Sequence, residues 1–171
     1  MEGGDLAKPK DNVKPQDNVK PQDNVKPQDN SKPQDNVKPQ DNVKPQDNVK
    51  PAIITKIPSV AEFSQLLRKN PGLIIMKYGA EWCGPCKKIE SLVGEWFNHM
   101  PAQVQCCLID IDQNIELYGF MKSKKRINGI PAIMCYVKGN TYYIPDDMVA
   151  GADPAQIAGF FQRSLKALSE L

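Results

Sequence analysis

Cys83 and Cys86 stand two residues apart in the run Trp82-Cys83-Gly84-Pro85-Cys86-Lys87. Two thiols at that spacing can exchange electrons with a disulfide or supply half of a tetrahedral metal site. The flanks favour exchange. An apolar run ends just before the motif and an amphipathic pattern begins inside it, so the first cysteine falls at a strand-to-helix junction. Unpaired N–H groups and the helix dipole there stabilise a thiolate, which makes Cys83 the expected nucleophile. Cys86, one turn into the helix, can reach back, attack a mixed disulfide at Cys83 and release the reduced substrate. Pro85 suits a first helical turn, where its missing N–H costs nothing. For the metal reading, Cys106, Cys107, Cys135 and His99 would have to complete the site. Cys106 and Cys107 are neighbours in an expected strand and point to opposite faces, so they cannot easily share one tetrahedron. They and Cys135 read better as small buried apolar residues, with a regulatory disulfide as the minority alternative. No metal is expected, and no cofactor is needed, because the electrons reside on the sulfurs.

The elements that must position this pair follow from the pattern around it. Residues 53–57 form a short β-rich run, and Ser59 followed by Glu62 is a capping box opening a helix through Phe63, Leu66 and Leu67. Asn70-Pro71-Gly72 closes it. Leu73 to Met76 is a continuous apolar run, as expected of a strand covered on both faces. From Cys86 to about His99, apolar residues recur at helical spacing, which predicts one amphipathic helix. Residues 104–111 form the next buried strand and 115–121 a short helix. Residues 132–137, Gly139-Asn140 and 141–144 predict a hairpin. Asp153, Pro154 and Gln156 open a last helix with the stripe Ile157, Phe160, Phe161, Ser164, Leu165 and Leu168. The fold class is α/β, a central mixed sheet with helices on both faces in the order β-α-β-α-β-α-β-β-α.

Composition divides the chain in two. Residues 1–51 hold eight of the fifteen prolines, no aromatic and no cysteine, and from Lys10 they repeat a hexad, Gln-Asp-Asn-Val-Lys-Pro, seven times with small departures. With one apolar residue per hexad this segment cannot bury a core, and an extended disordered tail is expected. Two roles compete for it: a spacer, or a multivalent ligand for a repeat-binding partner. The spacer is favoured, since no unit carries an aromatic or arginine anchor. Residues 52–171 form one domain. The net charge of +2 argues against nucleic-acid or membrane-surface partners. No signal-peptide pattern, no apolar span and an odd number of cysteines point to a cytoplasmic protein.

The domain resembles thioredoxin over essentially all of residues 52–171. The resemblance is carried by Ala80-Glu81-Trp82-Cys83-Gly84-Pro85-Cys86-Lys87, by Ile109-Asp110-Ile111-Asp112-Gln113-Asn114, by Gly129-Ile130-Pro131 and by Lys138-Gly139. It implies a thioredoxin fold and dithiol-disulfide exchange with disulfide-containing protein substrates by a monomer that a thioredoxin reductase recycles. It further implies a cis bond at Ile130-Pro131, with Ile130 exposing its backbone to substrate and with Trp82 and Pro131 shaping the groove.

One position departs from that pattern. Thioredoxins carry a buried carboxylate six residues before the first active cysteine, paired with a lysine on the next strand. Lys77 and Leu108 occupy these positions. A buried ammonium needs a counter-charge, and Asp110 is the candidate on the same strand face. Lys77 either lies below Cys86 and lowers thiol pKa values or snorkels to solvent. Gly79 replaces a larger residue and is expected to loosen packing beside Trp82. The basic run Lys122, Lys124, Lys125 and Arg126 reads as a solvated loop, with docking of acidic partners next and nuclear import last. The expected function is protein-disulfide reduction through Cys83 and Cys86. The alternatives are a disulfide isomerase or oxidase, and a tethering protein whose repeats carry the role.

Overall fold

The computed structural model describes residues 49–171. The hexads before residue 49, and with them the expected disordered tail, lie outside the described residues. Ser59 caps α1 (Val60–Arg68) by accepting a hydrogen bond from the Glu62 N–H, 3.2 Å away. Val60 N–H, in the first turn, donates to the carboxylate of Glu116, from a helix more than fifty residues later in the chain.

Four strands form one mixed sheet in the order β2-β1-β3-β4. They are β1 (Leu73–Gly79), β2 (Val104–Asp110), β3 (Ala132–Val137) and β4 (Asp147–Ala150). β1 pairs parallel with β2 and antiparallel with β3, and β3 pairs antiparallel with β4. The central position of β1 explains its unbroken apolar run: both of its faces are covered. One face packs against α1 and α4 (Ile115–Ser123) through Phe63, Leu67, Leu117 and Met121. The other packs against α3 (Glu90–His99) and α5 (Pro154–Ser169) through Val93, Phe97, Ile157 and Phe160. Phe161 binds the second layer together, stacked on Trp96 at 5.0 Å and edge-on to Phe97 at 6.1 Å. Alternation along β2 sends Cys106 to this layer and Cys107 to the first, as the sequence requires.

Three expectations need correction. The run 53–57 is not a full strand: only Ile54 pairs, bridging to Cys107, with its N–H on the Cys106 carbonyl and its carbonyl on the Leu108 N–H. Farther along, the buried Asn114 takes over the backbone, accepting from Ile57 N–H at 2.7 Å and donating to the Thr55 carbonyl at 3.1 Å. The helix expected from Cys86 to His99 is two helices, α2 (Gly84–Lys88) and α3, broken at Ile89 (φ −103°, ψ 3°). Cys86, Ile89, Val93 and Phe97 stay in helical phase across the break, so periodicity could not reveal it. The second hairpin strand lies at Asp147–Ala150, not at 141–144. Asn140 Nδ2 ties back the Ile144 carbonyl at 2.9 Å, Asp146 accepts from Val137 N–H at 2.7 Å, and Pro145 has no donor. Ladder pairing therefore begins only after Asp146. Gly139, at φ +93°, makes the turn itself.

Candidate active site

β1 ends at Gly79, and Ala80 to Trp82 carry the chain over the end of the sheet into α2. Cys83 is the N-cap residue of that helix. Its sulfur accepts a hydrogen bond from the Cys86 N–H at 3.2 Å, so the donor that the sequence placed near the first thiol belongs to the second cysteine's own backbone. Cys83 and Cys86 are joined by a disulfide, and their Cα atoms are 5.2 Å apart. Both are buried, at 4% and 2% exposure.

Two features stand beside Cys83. Trp82 is 67% exposed, unusual for so large an apolar residue, and its indole N–H is fixed on the Asp112 carboxylate at 2.7 Å. The carboxylate holds the ring as a flat apolar surface beside the pair. The second is the Ile130-Pro131 peptide bond, which is cis. The Ile130 carbonyl oxygen lies 3.9 Å from Cys83 Sγ, and the Pro131 carbonyl is tied to Gly151 N–H at 2.8 Å. The structure thus brings Trp82, Cys83, Gly84, Pro85, Cys86, Ile130 and Pro131 into one place.

Lys77 lies behind the pair, half-buried on β1 with Leu108 as its register partner on β2. Gly79 turns out to matter here rather than beside Trp82. A Cβ on Gly79 would meet Cys86 Sγ at 3.4 Å and Lys77 Nζ at 3.5 Å. The ammonium and the inner sulfur thus both approach the same point over Gly79, at ordinary contact distance from it. Both line a cleft of about 450 Å³ with Glu81, Lys87, Glu90 and Asp110. Burial lowers the Lys77 pKa from its ordinary 10.5, and the Glu90 carboxylate partly offsets this. Glu90 and Asp110 both line this cleft with Lys77, and the Asp110 carboxylate also accepts from Asp112 N–H at 2.8 Å.

The thioredoxin family model matches residues 54–163, well over half of the chain. The chain belongs to the thioredoxin family. Thioredoxin of Pseudomonas aeruginosa is 30% identical over 105 residues, which cover 61% of this chain and 91% of that one. Thioredoxin-1 of Saccharomyces cerevisiae is 26% identical over 105 residues, covering 61% and 92%. The crystal structure of thioredoxin from Trypanosoma brucei brucei superposes with a TM-score of 0.54 at 24% identity, covering 69% of this chain and 95% of that one. The four-stranded mixed sheet with helices on both faces is the thioredoxin fold. With its close-spaced cysteine pair intact, the domain has the thiol-disulfide oxidoreductase activity of its family.

The remaining thioredoxin-domain cysteines are held apart from this chemistry. Cys106, Cys107 and Cys135 are free thiols in the core. Burial pushes Cys106 and Cys135 up to about 11 and Cys107 higher still, so all three are neutral near pH 7. His99 ends α3, with Nδ1 2.7 Å from the Glu95 carbonyl, as expected of a residue at a helix C-terminus. In the basic run, Lys122 lies over Tyr118 and Lys124 over both Phe120 and Tyr143. Sequence reasoning missed Asp112 and Glu90. Asp112 stood inside a quoted motif, but only the fold shows that it faces Trp82. Glu90 had no signal beyond its spacing of four residues from Cys86, which puts the two on one helical face only if the break at Ile89 keeps phase.

Proposed function

We propose that this protein reduces disulfides in protein substrates, with Cys83 as nucleophile and Cys86 as resolving thiol, and is recycled by a thioredoxin reductase. The observation that carries the reading is the asymmetry of the pair. Cys83 Sγ caps α2, accepting the Cys86 N–H at 3.2 Å with the Ile130 carbonyl of the cis bond 3.9 Å away, whereas Cys86 Sγ lies on the Gly79 side, toward the cleft that holds Lys77.

In the reducing direction, the Cys83 thiolate attacks a substrate disulfide. One substrate sulfur leaves as a thiolate and the other stays bound to Cys83. Cys86, deprotonated, then attacks Cys83 Sγ. The Cys83–substrate bond breaks as the Cys83–Cys86 bond forms, and the second substrate sulfur leaves as a thiolate that takes up a proton. Two electrons pass from the protein dithiol to the substrate, leaving the disulfide present in the structure. Trp82 and the Ile130 backbone would contact the chain around the substrate disulfide. No cofactor or metal enters these steps. The domain of residues 52–171 carries this activity in a monomer placed in the cytoplasm, and the repeats of residues 1–51 act as a spacer.

The test is turnover. With NADPH and a thioredoxin reductase the protein should reduce insulin catalytically, and exchange of either active cysteine for serine should abolish it. Lys77 is the feature that favours an isomerase or oxidase instead. Faster refolding of scrambled ribonuclease in a glutathione buffer, with no reductase-coupled turnover, would establish that reading.

A further inference from the structure

The cleft behind Cys86 is the place where unused charge meets a reacting atom. Its titratable groups are Lys77 on β1, Glu81 before α2, Lys87 on α2, Glu90 on α3 and Asp110 on β2, with Cys86 Sγ at its floor. Glu81, Lys87 and Glu90 are exposed, so solvent screens them. Asp110 has its own partner in the Asp112 N–H. Lys77 alone combines partial burial with an ammonium that approaches the point over Gly79, where a Cβ would stand, that Cys86 Sγ also approaches. Its β3 and β2 register partners are Ile133 and Leu108, which offer no compensating charge.

We propose that Lys77 is a positioning residue for the inner thiol, its ammonium favouring the Cys86 thiolate that attacks Cys83, with Glu90 tempering that charge across the cleft. The proposal rests on the disulfide-exchange reading and adds a direction to it. When Cys86 loses its proton to water in the cleft, the resulting negative charge sits beside a cation, which lowers the cost of the thiolate. The same interaction stabilises the dithiol form relative to the disulfide, in which no sulfur is charged. Lys77 thus makes the pair easier to reduce and a weaker reductant than it would be with a neutral residue there.

Full-length wild type, Lys77→Met, Lys77→Arg and Glu90→Gln are to be equilibrated with a dithiothreitol couple, the thiols quenched and the species counted, with the Cys86 pKa followed by alkylation rate. Lys77→Met should move the exchange equilibrium about tenfold toward the disulfide, roughly 30 mV more negative, and raise the Cys86 pKa. Lys77→Arg should stay within about twofold of wild type, because it keeps the charge. Glu90→Gln should move the equilibrium the other way. That exposed, near-isosteric change carries the test if Lys77→Met folds poorly. Wild-type and Lys77→Met equilibria within about twofold would overturn the proposal, as would an equal shift from Lys77→Arg or a Glu90→Gln shift of the same sign as Lys77→Met. Failure of wild type itself to reach a disulfide-exchange equilibrium would instead remove the reading beneath it.

Discussion

Two kinds of cysteine coexist in this domain, and their surroundings explain the difference. Cys83 caps α2, where its sulfur receives an N–H bond next to the exposed Trp82, whereas Cys106, Cys107 and Cys135 are buried within strands of the central sheet. In reduced native protein, iodoacetamide near pH 7 should therefore modify Cys83 at least about a hundredfold faster than any of the three core thiols. Peptide mapping checks this, and rapid labelling of Cys106 or Cys135 would contradict the burial argument. Lys77 adds a pH signature. Its pKa is lower in the folded state than its ordinary 10.5, so the unfolded chain holds more protons in that window. Its contribution to stability therefore rises with pH there. Three buried thiols and Tyr78 and Tyr136, all pushed upward by burial, act in the opposite sense: they favour the folded state while neutral and lose that advantage as the unfolded chain ionises. Five groups against one predict net alkaline destabilisation above about pH 9. Wild type should lose less stability than Lys77→Met across the window, measured by denaturant midpoints at each pH.

At the scale of elements, side chains that join distant segments decide what local pattern cannot. Asn114 is 1% exposed and serves the Ile57 N–H and the Thr55 and Asp110 carbonyls, holding the entry segment against the start of α4. Its replacement by Ala leaves the buried Ile57 N–H without a partner and removes the tie to Thr55, and should cost about 2–3 kcal/mol. Asp153→Ala removes only the exposed cap of α5 and should cost about 1 kcal/mol. Urea unfolding of both variants checks the ordering; an equal or reversed cost would contradict it. This contrast also explains what was legible beforehand. Asp153-Pro154 and the Ile157, Phe160, Phe161 and Ser164 stripe depend on neighbours within a turn or two, and α5 emerged as expected. The cysteine pair and Ile130-Pro131 were legible because their residue types are tied to a backbone role. The shortened run at Ile54, the break at Ile89 and the displaced β4 depend on Asn114, on packing over the sheet end and on Asp146. Periodicity does not register such contacts. Glu90 escaped notice for the same reason: strand alternation pointed to Asp110, and only the fold adds Glu90 from α3 to the same cleft.

For the whole molecule, the sheet is the frame and its end is the site. β1 lies between β2 and β3, ends at Gly79 and delivers Cys83, while the loop into β3 delivers Ile130-Pro131. Phe161 sits in the α3/α5 layer against Trp96, Phe97 and Phe160, far along the chain from the cysteines. Phe161→Ala should cost about 3–5 kcal/mol of stability while leaving the exchange chemistry of the folded fraction intact. Thermal unfolding with insulin reduction measured well below the midpoint separates the two effects. Under the spacer reading, removing residues 1–48 should leave insulin reduction within about twofold of the full chain. The central claim is that electrons leave through Cys83 and that Cys86 closes the cycle. Its most direct test is trapping: Cys86→Ser incubated with a disulfide-containing protein and analysed by mass spectrometry. The account predicts a stable mixed disulfide on Cys83 in that variant and none in Cys83→Ser. A substrate adduct on Cys86 in Cys83→Ser, with Cys83 unmodified in Cys86→Ser, would contradict it.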